Sequence, residues 1–235
     1  MAETTTFISD DHQRVFRMSE IAKRLFDFVV SFVALILLTP VFVWLAWLVH
    51  RDSPGPVFYH GDRVGRWGKV FKILKFRTMH EDASSYAGPR LTAAGDVRIT
   101  PIGKWLRDTK LNELPQLWNV LIGDMSLVGP RPEDPSIAKN WSKEYTMEVL
   151  SLRPGITSPA AVLYRDEEQQ LSSTDPMEKY LREIQPSKQR LDQLYVRNRT
   201  FWTDLDIIFW TLLIYIPQLK QGPDEVRLLR GPLQV

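Results

Sequence analysis

The chain contains no cysteine, and several familiar catalytic motifs are missing as well. Its 235 residues can form no disulfide, offer no thiol nucleophile and hold no metal through sulfur. The four His residues do not have the spacing of a metal site, and no P-loop, G-x-G-x-x-G, H-E-x-x-H or G-x-S-x-G motif is present. The sequence thus lacks the signatures of P-loop nucleotide hydrolases, Rossmann dehydrogenases, zinc metalloproteases and α/β-hydrolases.

Excess charge is also small, since the net charge is only +2. A nucleic-acid-binding chain would need a larger basic excess, so no nucleic acid is expected as a partner. The hydrophobic share of 44% and aromatic share of 11% are ordinary for a folded protein, and a chain of this length is expected to have one main core. Eight Trp residues suit a surface that meets lipid headgroups.

One long apolar segment, residues 25–49, contains a single charged residue, Asp27. It is long enough to span a bilayer, whose hydrocarbon core of about 30 Å requires about 20 helical residues. Pro40 lies in its middle and will kink or break a helix there, because it has no N–H and clashes with the preceding turn. The hydroxyl of Thr39 can return a hydrogen bond to the opened backbone.

Positive charge flanks this segment on both sides, at Arg14, Arg17, Lys23 and Arg24 and at His50 and Arg51. Because positively charged flanks tend to stay in the cytoplasm, we predict a re-entrant helix-break-helix with its break at Thr39 and Pro40. This membrane anchor covers residues 19–52. A kinked ordinary span is the alternative, since Pro also occurs in genuine transmembrane helices.

The rest of the chain is predicted to form a helix-rich α/β (α+β) catalytic domain over residues 53–200, preceded by an N-terminal extension, residues 1–18. Residues 201–219 suit either a membrane-interface helix or a buried core helix, and residues 220–235 form a tail. Alternation and turn residues predict two strands, and a period of 3.6 residues predicts four helices. The strands are Val57–His60 and Val70 to Met79, a loop covers residues 80–98, and the helices are Pro101–Asp108, Leu114–Ile122, 136–151 and 176–195.

Charged residues of both signs recur around Glu113, which stands at the start of a predicted helix, where free N–H groups attract phosphate and metal-bridged anions. Arg107 precedes it and Arg131 follows in a Gly-Pro-Arg-Pro turn, and Arg binds phosphate through two parallel hydrogen bonds. The second strand places Lys75 and Arg77 on one face. Together these residues indicate a site for a multiply phosphorylated substrate and a carboxylate-held Mg²⁺. Taken singly, they would be a helix-cap acid and a solvated basic strand.

Six motifs stand in the order found in one family. They are KRLFD…LLTPVF, FKILKFRTM, DVRITPIGKWLR, ELPQLWNVLIGDMSLVGPRPE, LRPGIT and YVRNRTFWTDLDIIFWT. On these motifs, from Lys23 to about Leu219, the chain resembles the monotopic bacterial polyprenyl-phosphate phosphoglycosyl transferases, in their short form. This sugar transferase family initiates capsule, O-antigen and exopolysaccharide assembly.

The resemblance implies that the chain moves a sugar 1-phosphate from a UDP-sugar to polyprenyl (undecaprenyl) phosphate, giving polyprenyl-diphosphate-sugar and UMP, with Mg²⁺ as cofactor. It implies a place in the inner membrane, with membrane lipid as a partner and the catalytic domain on the cytoplasmic face. A homo-oligomer is left open. Arg107 and Arg131 match arginines of the family that hold phosphate, and Lys75 matches the basic residue of its strand motif. Glu113 matches the acid that supports catalysis and Mg²⁺.

Asn112 departs from the family pattern, which has at this place an Asp that attacks the β-phosphate. A carboxamide is a poor nucleophile toward phosphorus and a weak Mg²⁺ ligand. Three hypotheses follow. Glu113 is the nucleophile, or polyprenyl phosphate attacks directly, or Asn112 marks a catalytically inactivated membrane protein that still binds a nucleotide-sugar or a partner.

Overall fold

In a computed structural model the chain is rich in helix and has two small sheets within the described residues, which are 4–81, 92, 95–165 and 176–214. This is compatible with the predicted helix-rich α/β (α+β) class. Parts of three predictions lie outside the described residues: most of the loop at 80–98, the end of the helix at 201–219, and the tail.

The helices are α1 (Thr4–Leu37), α2 (Thr39–Asp52), α3 (Pro101–Asp108), α4 (Gln116–Ile122), α5 (Pro135–Ala138), α6 (Lys143–Val149), α7 (Pro159–Leu163), α8 (Pro176–Lys179), α9 (Gln185–Asn198) and α10 (Phe201–Ile214). The strands are β1 (Phe58–Val64), β2 (Val70–Phe76), β3 (Ser126–Val128) and β4 (Gly155–Thr157). Two 3₁₀ turns, Arg66–Gly68 and Leu111–Glu113, and a π-helical turn, Tyr180–Ile184, complete the described elements.

The sequence predicts one of the two sheets and misses the other. β1 and β2 form an antiparallel hairpin, with β1 longer and β2 shorter than predicted. Because side chains alternate along a strand, Phe71 and Ile73 share a face that packs into the core, and Lys75 follows them on that face. β3 and β4 pair in parallel, with Ser126 beside Gly155. Strands of three residues have no readable periodicity, so the sequence analysis did not find them.

One residue, Leu38, separates the end of α1 from the start of α2, at the predicted break. The two helices are bent by 64° relative to each other. Thr39 Oγ1 donates to the carbonyl oxygen of Leu35 at 2.8 Å, as expected for a hydroxyl beside a Pro that opens the helix. Within the described part of the chain no single helix is long and apolar enough to cross a bilayer. Glu20–Leu37 and Thr39–Asp52 meet the length and hydropathy of a span only as a bent pair.

The lone acid of the apolar segment, Asp27, is buried and joins α1 to two other elements. Its carboxylate accepts hydrogen bonds from Ser126 Oγ at 2.7 Å and from the N–H of Leu127 at 3.3 Å, both in β3. Lys23 Nζ lies 3.8 Å from Asp27 Oδ1 and 2.6 Å from Oδ2 of Asp204 in α10. Because a buried charge is costly unless it is paired and hydrogen-bonded, this network fixes α1 against β3 and α10.

Arg24 joins α1 to α4. Its guanidinium donates to the carbonyl oxygens of Val120 at 2.6 Å and Leu121 at 2.8 Å. These carbonyls lie in the last turn of α4, where carbonyl groups lack intrahelical donors. Gly123 ends that helix in the left-handed conformation, with a φ of 98°. Helix α1 therefore holds the C-terminal end of the helix whose N-terminal end follows Glu113.

The side chain of Arg77 is engaged at the C-terminal end of α2. This corrects the prediction that Arg77 lies beside Lys75 as a phosphate ligand. β2 ends before Arg77, and the side chain is only 4% exposed. All three guanidinium nitrogens donate to groups at or just after the end of α2, where helix carbonyls need donors. These acceptors are the carbonyl oxygens of Val49, Ser53, Pro54 and Pro56 and Ser53 Oγ, at 2.6–3.4 Å.

Helix α10 has one buried and one exposed face within its described residues. Ile207 is fully buried in the core, and Asp204 is buried beside Lys23. The exposed large apolar residues are Phe201, Trp202, Phe209 and Leu212. The two interpretations of this segment, a core helix and a surface helix, therefore apply to opposite faces of one helix.

Arg77→Ala is expected to lower the free energy of unfolding by about 3 kcal/mol, because several buried carbonyls lose their donor. For a chain of this size that corresponds to a fall of about 6–12 °C in the unfolding temperature. The measurement is thermal unfolding of the detergent-solubilised protein. Arg190, exposed on α9, provides the control, since Arg190→Ala should change stability by less than about 0.5 kcal/mol. Equal unfolding temperatures for the two variants would contradict the assignment.

Candidate active site

Three predicted residues meet in one ion cluster: Lys75 from β2, Glu113 from the 3₁₀ turn before α4, and Arg131 from the turn after β3. Lys75 Nζ lies 2.8 Å from Glu113 Oε1. Arg131 Nη2 donates to the same oxygen at 2.6 Å, and Arg131 Nη1 donates to Glu113 Oε2 at 3.3 Å. Both carboxylate oxygens of Glu113 are therefore engaged by cations.

The cluster is largely withdrawn from solvent, with the side chains of Lys75 and Glu113 18% and 13% exposed. Burial alone would raise the pKa of Glu113, but the charges of Arg131 and Lys75 outweigh it and hold that pKa well below its ordinary value. Burial, with the repulsion of Arg131, lowers the pKa of Lys75 to about 8 even though Glu113 favours its charged form. Glu113 is thus ionised at neutral pH, while Lys75 loses its proton at a pH only slightly above neutral.

The Arg131 turn is held in place by contact between two backbones. Gly129 N–H donates to the carbonyl oxygen of Thr157 at 3.0 Å, and Gly155 N–H donates to that of Pro130 at 2.9 Å. A Cβ at Gly155 would lie only 2.1 Å from the Gly129 nitrogen, so this approach requires glycine. The Gly-Pro-Arg-Pro and Arg-Pro-Gly-Ile-Thr motifs therefore form one rigid support for Arg131.

The ion cluster opens on a cavity of about 600 Å³. The charged residues of its lining are Arg63, Lys75, Arg107, Lys110, Glu113, Arg131, Glu133, Arg165 and Lys188. Apolar residues of α1, β3 and α10 also line it: Phe26, Val30, Leu127, Leu205, Ile208 and Leu212. A ligand that fills the cavity would combine anionic or polar groups with an apolar portion.

The remaining predicted residues are not all placed together. Arg107 lines the cavity and donates to Thr78 Oγ1 at 3.3 Å. Asn112 is 7% exposed, does not line the cavity, and its Oδ1 has no hydrogen-bond partner within the described residues. Arg77 is engaged at α2, and Thr39 and Pro40 form the helix break. Of the pair Asn112 and Glu113, only Glu113 faces the cavity.

A magnesium ion does not fit the donor groups as the structure arranges them. Glu113 has a cation on each oxygen, and the described residues contain no group of three or more acidic, His or Cys side chains that could hold a metal. Mg²⁺ prefers several oxygen ligands in near-octahedral geometry. The prediction that Glu113 holds Mg²⁺ stays a prediction.

Among the cavity residues that the sequence analysis missed are Glu133, Tyr180 and Lys188. Glu133 directly follows the Gly-Pro-Arg-Pro turn, so its place beside Arg131 was a usable signal. Tyr180 and Lys188 come from the π-helical turn and α9, far along the chain. No local pattern marks them, because only the tertiary fold brings them to the cavity.

Comparison of the sequence with known proteins identifies a matching family. The sequence model of the family described as bacterial sugar transferase matches residues 18–218. The chain is 39% identical over 195 residues to the UDP-glucose:undecaprenyl-phosphate glucose-1-phosphate transferase of Klebsiella pneumoniae, covering 81% of this chain and 39% of that protein. It is 36% identical over 215 residues to the exopolysaccharide production protein PSS of Rhizobium leguminosarum bv. phaseoli, covering 87% and 98%.

A further relative is the UDP-N-acetylgalactosamine-undecaprenyl-phosphate N-acetylgalactosaminephosphotransferase of Aeromonas hydrophila. It is 33% identical over 194 residues, which cover 81% of this chain and 42% of that protein. The chain therefore spans less than half the length of the Klebsiella and Aeromonas proteins, but nearly all of the Rhizobium protein.

Glu113→Gln is expected to lower the free energy of unfolding at pH 7 by about 1–3 kcal/mol, because Lys75 and Arg131 would face each other without a counter-charge. The folded-state pKa of Glu113 is depressed, so its stabilisation is present above its ordinary pKa of 4.5 and is lost as the pH falls below it.

Unfolding curves of wild type and variant should therefore differ at pH 5–8, begin to approach each other below about pH 4.5 and coincide only well below that pH. Glu144→Gln, at an exposed site on α6, should show no such gap. A Glu113→Gln protein as stable as wild type at pH 7 would contradict the ion cluster.

Proposed function

The chain belongs to the bacterial sugar transferase family, and from this premise we propose that it transfers a sugar 1-phosphate from a UDP-sugar to a polyprenyl phosphate. The products are polyprenyl-diphosphate-sugar and UMP, so that the reaction initiates assembly of a capsule, O-antigen or exopolysaccharide. The observation that carries the proposal is the cluster of Lys75, Glu113 and Arg131 beside a cavity with both charged and apolar walls. Such a cavity suits a diphosphate and an isoprenoid chain together.

The phosphates of the donor compete with Glu113 for its two cations. A diphosphate at the cluster takes over the contacts of Lys75 and Arg131, since Arg binds phosphate as readily as carboxylate. Arg107 lies on the same cavity wall and adds a third positive group. Glu113 is thereby released beside the reacting phosphorus, and the cations stabilise the charge on the transferring phosphoryl group.

The transfer has two forms that differ in the role of Glu113. In direct attack, an oxygen of polyprenyl phosphate bonds to the sugar-bearing phosphorus, and the P–O bond to UMP breaks with its electron pair leaving on UMP. In the covalent form, a Glu113 oxygen makes that bond first, UMP leaves, and polyprenyl phosphate then displaces Glu113. Glu113 faces the cavity and Asn112 does not. A phosphosugar adduct on Glu113, found by mass spectrometry, would distinguish the covalent form.

An inactivated protein is the alternative that Asn112 raised. The test is Asn112→Asp, assayed beside the parent for UMP release. Activity in the variant alone would support the inactivated form, and activity in both would reject it.

A re-entrant anchor on the cytoplasmic face of the inner membrane is supported by where the two bent helices are held. Lys23, Arg24 and Asp27 fasten α1 to the domain before the break. Arg77 fastens the end of α2 to the same domain after it. A segment fixed to one domain at both ends returns to the side from which it entered. Its exposed surface is apolar and would be covered by lipid: Phe28, Phe32, Leu37, Val43, Trp44 and Trp47.

Mg²⁺ remains part of the proposal through the family resemblance alone. Because Glu113 is the one acid of the ion cluster, no step is assigned to the metal. Chelation by EDTA followed by return of Mg²⁺ is the direct test, with UMP release as the readout.

Purified protein supplied with Mg²⁺, undecaprenyl phosphate and a panel of UDP-sugars is expected to release UMP with at least one sugar. Glu113→Gln should reduce the rate by about 100-fold or more, in the range for loss of a catalytic group. Glu144→Gln is the matched control and should keep wild-type activity. Absence of UMP with every sugar would count against the function.

The pH dependence of kcat/KM is expected to show a basic limb near pH 8, because kcat/KM reports the free enzyme and Lys75 has a pKa of about 8. Above that pH Lys75 becomes neutral and binds phosphate weakly. Lys75→Arg should move the limb to higher pH, since Arg stays charged, whereas Lys72→Arg, at a largely exposed site on β2, should leave it in place. An unchanged limb in Lys75→Arg would assign it to another group.

A further inference from the structure

Beyond the ion cluster, three residues form a second polar group in the cavity wall, here called the acid–tyrosine–lysine group: Glu133, Tyr180 and Lys188. Tyr180 OH donates to Glu133 Oε1 at 2.7 Å, and Lys188 Nζ lies 5.2 Å from the centre of the Tyr180 ring. Tyr180 is 2% exposed and Lys188 7% exposed. The side chains are therefore held in place by packing as well as by hydrogen bonds.

This group lies directly beyond the phosphate-binding end of the cavity. Glu133 is two residues from Arg131 across Pro132, so their Cα atoms are separated by at most about 7 Å. Arg131 pairs with Glu113, and Glu133 pairs with Tyr180. A ligand whose phosphate is bound by Arg131 would next meet Glu133.

The chemistry of the group excludes two kinds of group that a UDP-sugar and a polyprenyl phosphate bring to the cavity. A second phosphate would be repelled by the carboxylate of Glu133. An isoprenoid chain would place carbon against the charged groups of Glu133 and Lys188, which is costly because a charge is poorly solvated by an apolar environment. A neutral group with many donors and acceptors satisfies both residues, because carboxylate accepts from hydroxyl and ammonium donates to it.

Glu133 has capacity for such a ligand. Tyr180 occupies Oε1, and Oε2 makes no hydrogen bond within the part of the chain that the structure describes. Tyr180 and Lys188 come from the π-helical turn and the helix after it, and π-helical turns occur frequently at functional sites. Uracil offers a single N–H donor, whereas a hexose offers several hydroxyls.

Resting on the proposed function, we infer that Glu133 and Lys188 bind the hydroxyl groups of the hexose of the nucleotide-sugar, and that Tyr180 is a positioning residue that orients Glu133. This group therefore contributes to the choice of sugar. Relatives of 33–39% identity are named for different sugars, glucose and N-acetylgalactosamine among them, so part of the cavity must differ between such proteins.

Asp192 forms a similar buried pair with a tyrosine outside the cavity. It is buried one helical turn after Lys188 on α9 and accepts a hydrogen bond from Tyr145 OH at 3.1 Å. Asp192 and Tyr145 do not line the cavity. Tyr145 is thus a second buried tyrosine that donates to an acid but cannot touch the ligand, which makes it a matched control for Tyr180.

The experiment compares binding of the UDP-sugar that supports turnover with binding of UMP, by calorimetry on the full chain in detergent. Glu133→Gln and Lys188→Met should weaken the UDP-sugar by about tenfold each, the effect of losing hydrogen bonds to a charged group. Tyr180→Phe should weaken it by about threefold to tenfold. UMP binding should change by less than about twofold, because UMP has no sugar beyond its phosphate.

Tyr145→Phe should leave both affinities within about twofold, and thermal unfolding of every variant checks that it is folded. Equal weakening of UMP and UDP-sugar would overturn the inference, because the group would then bind the nucleotide. Unchanged UDP-sugar binding in folded Glu133→Gln would also overturn it. The proposed function fails separately, when the wild-type protein releases no UMP with any UDP-sugar.

Discussion

The buried carboxylate of Asp27 is the contact on which the position of the apolar segment depends. A carboxylate inside a non-polar helix is tolerated only where its partners are fixed, so α1 cannot rotate or slide without losing Ser126 and Lys23. Lys23 also forms an ion pair with Asp204, which fixes α1 against α10. Asp204 in turn accepts a hydrogen bond from Tyr195 OH at 2.6 Å. The contacts that fix the rotation and position of α1 therefore also fix the placement of β3.

The ion cluster depends on this arrangement, because each of its members comes from a different element. Arg131 follows β3, which Asp27 holds, and Glu113 precedes α4, whose far end is held by Arg24. One carboxylate between two cations leaves an excess of one positive charge, which attracts anions without exposing unpaired charge in their absence. Such a site is stable before substrate arrives and exchanges its internal anion for an external one.

The sequence predicted those features that are encoded locally. Helix α3 has its predicted bounds because Thr100 accepts from the N–H of Gly103 and Pro101 occupies the first turn. The helix predicted at 136–151 is divided because Ser142 caps a new start, a local signal that periodicity obscured. Arg77 was misplaced because the predicted strand was extended to Met79, three residues beyond the end of β2. Tyr180 and Lys188 were not recognisable at all, since their role arises from contacts between distant parts of the chain.

Helix α10 belongs to two environments at once. Leu205, Ile208 and Leu212 line the cavity, while Phe201, Trp202 and Phe209 form an apolar outer surface. On a lipid bilayer, the depth and tilt of the outer surface would be set by the headgroup boundary, as for other amphipathic helices. Because a packed helix moves as a rigid unit, the same depth and tilt would set the width of the cavity. Lipid composition would thereby act on the shape of the site itself, without any lipid entering it.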